Sequence, residues 1–204
     1  MTKLIACAVI AALTLSPTSG DAQKFVRQDV VRSLPNPVLL DTAGMFLERY
    51  AKVGDDMFIA GQPTERALRA MKDQGVTTVV NLRMPQEMAR VGFDERKLVE
   101  DLGMKYVYIP MRGGSGETAY SPQTLSKFEQ AMLQADGKVL LHCTIAWRAS
   151  HIWAAYLIQR GVVDSLALQH ARSINLMDDH RMDDSGRQPV EMFLARKVVG
   201  LKMP

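Results

Sequence analysis

From Phe46 onward, short apolar runs rich in β-branched residues alternate with stretches whose apolar residues recur at helical spacing, and this alternation restricts the fold more than any other feature. Val76–Leu82 (VTTVVNL) and Lys138–His142 (KVLLH) are continuous apolar runs of strand length, as expected of strands covered on both faces. Lys105–Ile109 is a third strand, stopped by Pro110. Leu47–Val53 and Met57–Ala60 flank Gly54-Asp55-Asp56 and predict an antiparallel pair joined by a turn.

Helices are punctuated by caps. Thr64 opens one that runs to Gln74, with Ala67, Leu68 and Met71 on one face and Gly75 as its left-handed stop. Another spans about Asp94–Leu102, ended by Gly103. Ser121-Pro122 starts a third, whose inner face holds Leu125, Phe128 and Met132. Ala149–Arg160 follows with Ile152, Trp153, Tyr156 and Leu157 inward, then helices at about Asp164–Leu176 and Pro189–Val199. Strand–helix alternation predicts an α/β fold: a central, mostly parallel sheet flanked by helices.

The 204 residues suffice for one such domain, and 47% hydrophobic with 23% charged content excludes a disordered chain. A net charge of +3, with no Lys/Arg run, argues against nucleic-acid binding. Lys3, the apolar run Leu4–Leu15 and the small-residue segment Ser16–Gln23 follow the order of a secretory signal. Gly20-Asp21-Ala22 places cleavage before Gln23, with cleavage before Asp21 or a retained anchor as alternatives. The organisation expected is a signal peptide over 1–22, an extension over 23–45 carrying Pro35 and Pro37, and one domain over 46–204. The mature chain is then periplasmic or secreted, with no later stretch able to span a membrane. Removing Cys7 with the signal leaves Cys143 as its one cysteine, so no internal disulfide supports the fold.

Cys143 stands where chemistry is expected. In KVLLHCTIAWRAS (138–150) a strand runs into Cys143, four residues follow, and Arg148 lies where the next helix begins. First-turn amides have no intrahelical partner, and the helix dipole adds partial positive charge, so the junction suits an anion. The same field favours thiolate over thiol. The planar fork of Arg148 matches a tetrahedral oxyanion.

In that context the chain resembles the bacterial beta-lactamase-hydrolase-like phosphatase domain, a branch of the dual-specificity and tyrosine phosphatase superfamily, over roughly Phe58 to Gly161. The likeness rests on FIAGQPT (58–64), VTTVVNLR (76–83), an acidic position at Glu87, YVYIPM (106–111) and LLHC followed by Arg148. It implies a cysteine-phosphatase-like fold, Cys143 as nucleophile forming a phosphocysteine, and Arg148 holding phosphate. The amides of Thr144, Ile145, Ala146 and Trp147 would complete the cradle, with His142 orienting the loop. A phosphorylated small molecule or phosphoprotein is the implied substrate, and neither cofactor nor metal is implied.

The chain departs from the superfamily pattern in three ways. Tyrosine and dual-specificity phosphatases have five residues between Cys and Arg, whereas this chain has four, a spacing that resembles this bacterial branch and also rhodanese sulfurtransferases. Thr144–Trp147 contains no glycine to turn amides inward, so either the loop takes another path or Trp147 narrows the mouth. After Tyr106–Ile109 the chain reads Met111-Arg112-Gly113-Gly114-Ser115-Gly116-Glu117, without the family's aspartate acid. Glu117 is either a substitute or a solvated loop residue, and Arg112 either reaches an anionic substrate or is a surface charge. Arg83 and Glu87 are expected to pair with each other. His151 is expected at the surface or in packing, and Trp153 and Tyr156 in the core. Asp178, Asp179, His180, Asp183 and Asp184 lack the EF-hand spacing and read as a solvated loop. Three functions follow: a cysteine-dependent phosphatase-like hydrolase, a rhodanese-like sulfurtransferase, or a catalytically weak anion- or partner-binding module.

Overall fold

The strand Lys138–His142 lies in the middle of a six-stranded sheet, bounded on both sides by parallel partners. The computed structural model describes residues 34–175 and 187–199; the signal segment, residues 23–33 of the extension and the 178–184 acidic cluster lie outside the described residues. The strands are β1 (Val38–Leu39), β2 (Tyr50–Val53), β3 (Met57–Ala60), β4 (Val76–Asn81), β5 (Lys105–Tyr108) and β6 (Lys138–His142), in the order β1-β2-β3-β6-β4-β5. β3, β6, β4 and β5 run parallel. β2 is antiparallel to β3, and β1 to β2. The predicted strand from Leu47 begins three residues later, because Leu47 is bonded to Gln62 O instead of to a ladder partner (3.0 Å).

The helices are α1 (Glu65–Asp73), α2 (Pro85–Met88), α3 (Glu95–Asp101), α4 (Pro122–Gln134), α5 (Trp147–Gln159), α6 (Asp164–Arg172) and α7 (Arg187–Leu194). Caps work as the sequence implies. Thr64, Asp94 and Ser121 accept from the backbone N–H groups of Ala67, Lys97 and Thr124 at 3.0–3.2 Å. Gly75, just past α1, has φ +88°. The four-residue α2, which the sequence reading does not anticipate, begins at Pro85 and brings Glu87 back toward the sheet.

Successive sheet residues point to opposite faces, and helices cover both. Leu140, Phe58 and Val79 pack with Leu68 and Met71 of α1 and Val99 of α3. Val139, Leu141, Ile59 and Val80 pack with Leu125 and Phe128 of α4, Trp153 of α5 and Phe193 of α7. This is why β4 and β6 show no polar alternation. α5 is buried from Ala149 to Ile158, between the sheet and α6 and α7. Trp153 and Tyr156 are core residues, stacked at 5.5 Å. Trp147 and Arg148 belong to α5, which starts two residues before the predicted Ala149.

Candidate active site

Parallel strands deliver their C-terminal loops to one edge of the sheet, and the candidate residues gather there. β6 ends at His142, and Cys143 follows, 1% exposed, its N–H donating to Ala60 O of β3 (3.4 Å). Residues 144–145 are fastened on two sides. Gln62 N–H donates to Thr144 O (2.8 Å), Gly61 pairs with Ile145, and Asn175 Nδ2, just beyond α6, donates to Ile145 O. Gly61 has no room for a side chain: a Cβ there would stand 1.8 Å from Leu47 O and 2.8 Å from Thr144 O.

The glycine missing from the loop is replaced in conformation by Ala146, at φ +66° and ψ 0°. An L-residue in this region costs about 1–2 kcal/mol. Both the N–H and the hydroxyl of Ser150 donate to Ala146 O at 2.9 Å and hold it there. α5's ladder starts with that Ser150 bond, so the N–H groups of Trp147, Arg148 and Ala149 precede the first intrahelical bond.

Arg148 projects from this first turn into a clasp with Glu87. Nη1 donates to Glu87 Oε2 (2.7 Å) and Nη2 to Oε1 (2.6 Å). Nη2 also donates to Thr144 Oγ1 (2.9 Å), whose hydroxyl donates to Glu87 Oε1 (2.7 Å), while Nη1 reaches Met111 O (3.1 Å). Partial burial would raise the Glu87 carboxyl. Hydrogen bonds from Arg148, Met84 N–H and Thr144 outweigh it and hold the group at about 2. Burial likewise weakens Arg148's proton affinity, and Glu87 more than restores it. The expected Arg83–Glu87 pair is present, with Arg83 Nη2 also donating to Glu87 O (3.2 Å), but it is the looser of two. Arg83 Nε lies 3.9 Å from Glu87 Oε1, and the close bidentate partner is Arg148, because α2 turns the carboxylate toward the loop.

His142 faces the other side of the sheet edge. Its Nε2 lies 3.0 Å from Glu95 Oε1, both side chains fully buried. Glu95 also accepts from Asn81 Nδ2 (2.8 Å) and Gln62 Nε2 (2.5 Å). Burial pushes its carboxyl up, but His142, Gln62 and Tyr106 bring it below the usual range. His142 is therefore tied to α3, not hydrogen-bonded to residues 144–147. Gln62, Asn81 and Glu95 are site residues the sequence reading does not name, being polar residues of ordinary type met far apart in the chain.

A cavity of about 360 Å³ opens over the clasp, lined by Arg148, Glu87, Trp147, Tyr120, Arg112 and Met84. Arg112 and Trp147 thus share one wall system with Arg148, whereas Glu117 is exposed and outside it. His151 is buried, its Nδ1 2.7 Å from Trp147 O, and it packs on the Trp147 ring at 4.1 Å, so its role is packing. Among the described residues no group of His, Cys, Asp and Glu is placed to hold a metal, and no helix is long and apolar enough to cross a membrane.

Residues 53–162, more than half the chain, match the family described as polymorphic toxin system, DSP-PTPase phosphatase. The chain belongs to that family. This DSP-PTPase is 26% identical over 133 residues to a beta-lactamase hydrolase-like protein of Xylella fastidiosa, covering 63% of the chain and 30% of that protein, so it spans under a third of this curated relative's length. A DUF442 protein from Shewanella putrefaciens CN-32 superposes with a TM-score of 0.54 at 26% identity, covering 81% of this chain and 94% of that one. The fold also matches TpbA of P. aeruginosa, solved with phosphotyrosine (TM-score 0.51, 17% identity, 69% and 80% covered). The resemblance and the cysteine-phosphatase-like fold class expected from the sequence are both borne out. The sulfurtransferase and binding-module alternatives are not favoured by these matches.

Proposed function

We propose that this DSP-PTPase hydrolyses phosphate monoesters through a phosphocysteine on Cys143. In the first step the thiolate attacks phosphorus, a P–S bond forms as the P–O bond to the leaving group breaks, and the departing oxygen takes a proton from solvent water. In the second, water attacks phosphorus and gives up a proton to solvent as the P–S bond breaks, releasing phosphate and returning the thiolate. Arg148 and the first-turn amides of α5 face the charge that develops on the phosphoryl oxygens. One observation carries the reading: Cys143 directly follows a central parallel strand, and Arg148 stands on the first turn of the next helix, with the loop between them fastened from two sides.

Glu117 lies outside the cavity, so expulsion of the leaving group depends on its own acidity and aryl phosphates turn over faster than alkyl ones. Phosphotyrosine-like esters fit that preference, and the phosphotyrosine bound by TpbA supports it. The secretory pattern of residues 1–22 supports an exported enzyme, to be checked by the N-terminal sequence of the protein recovered from the envelope fraction.

The test is hydrolysis of 4-nitrophenyl phosphate in the presence of EDTA. Cys143→Ser should abolish turnover and the phosphate adduct trapped by rapid quench. Arg148→Lys should lower kcat/KM by roughly 100-fold, keeping charge but losing the fork. Full activity of Cys143→Ser would refute the mechanism.

A further inference from the structure

A second, larger groove is lined by Arg83, the chain neighbour of Met84 in the Arg148 cavity. Its volume is about 760 Å³, twice that of the cavity, and no step proposed above uses it. Arg83 joins the two: it lines the groove, and its Nη2 donates to Glu87 O (3.2 Å) beside the clasp. Gln62, two residues past β3, does the same, lining the groove while its N–H holds Thr144 O.

The groove's chemistry is one-sided. Arg66, Arg83 and Arg90 face it against one carboxylate, Glu65. Arg83 is 8% exposed and held in place, its Nη1 donating to Gln62 Oε1 and its Nε 3.9 Å from Glu87 Oε1, so the charges free to meet a ligand are those of the exposed Arg66 and Arg90. The floor is apolar: Phe93 lines it, with Leu47, 48% exposed. A free inorganic anion would use the arginines and leave that floor wet. A peptide segment with carboxylates spaced along apolar side chains would use both.

We propose that this groove binds an acidic peptide segment adjoining the phosphorylated residue, making acidic phosphopeptides the preferred substrates. The proposal rests on the phosphatase reading for its catalytic part, while the binding part stands on the groove alone. Arg66 and Arg90 are exposed and outside the catalytic loop, so they can be altered without touching Cys143, Arg148 or Glu87.

Two measurements on the full chain separate the parts. In the first, a fluorescein-labelled, unphosphorylated peptide of alternating glutamate and leucine is titrated by anisotropy. Binding should weaken by about five- to tenfold in the double variant Arg66→Gln/Arg90→Gln, two exposed charge contacts being removed, and should be unchanged in Cys143→Ser. In the second, kcat/KM is compared for phosphotyrosine peptides flanked by glutamate or by lysine. The acidic peptide should lead by about tenfold, the lead should shrink in the double variant, and 4-nitrophenyl phosphate should be hydrolysed equally by both proteins. No turnover of any ester refutes the phosphatase reading and leaves anisotropy to decide the groove. Anisotropy indifferent to the arginines overturns the groove proposal, as does their loss impairing only phosphatidylserine-vesicle binding.

Discussion

Replacing Glu87 by Gln removes the negative half of the clasp while keeping its shape. A carboxyl held at about 2 against an ordinary 4.5 is pH-linked stabilisation of at most about 3.4 kcal/mol, at 1.36 kcal/mol per pH unit. The side chain is 30% exposed, and solvent screening reduces this to about 2 kcal/mol. The folded-state value is depressed, so the stabilisation is fully present above 4.5 and is lost as pH falls toward 2. Urea unfolding of both proteins between pH 7 and pH 3 reads it directly. Glu87→Gln should be less stable by about 2 kcal/mol at pH 7, with the gap narrowing steadily below pH 4.5. A gap that persists unchanged to pH 3, or none at pH 7, would refute the clasp as an ion pair.

Three other changes probe the scaffold. Ala146→Val puts a β-branched side chain at φ +66° in a fully buried position and should cost at least about 2 kcal/mol in urea unfolding, whereas Ala146→Gly should stay within about 1 kcal/mol of the parent. Gly61→Ala forces a Cβ against Leu47 O and should cost about 3 kcal/mol, seen as a thermal midpoint lower by about 6–12 °C. Glu95→Leu strands the buried hydrogen-bonding groups of His142, Asn81 and Gln62 and should destabilise by about 3–5 kcal/mol at pH 7, measured by the same unfolding.

What could be read from the sequence was what neighbouring residues decide. The bounds of β6, the Thr64 cap, the stop at Gly75 and the inner face of α4 follow from local periodicity and turn chemistry, and each stands where expected. The junction of Cys143 and Arg148 was legible for the same reason, since strand, loop and helix are contiguous. Partners separated by long stretches of chain were not. Nothing near Glu87 adds Arg148 to the adjacent Arg83 as a second and closer partner; α2 and the register of β4 beside β6 do so. The network of Glu95 with His142 and Asn81 arises only when α3 docks on the sheet edge. Ala146 runs against propensity, which favours glycine at its φ; hydrogen bonds at Ser150 hold it there.

The seam between Gly61 and Ile145 binds two remote passages of the chain into a single structural unit. Widening the first passage displaces the second, so a change tolerated in one should become harmful or harmless according to the other. Homologues are expected to exchange these passages together, and a chimera that mixes them should lose the shape of its sulfur-bearing turn before it loses the sheet.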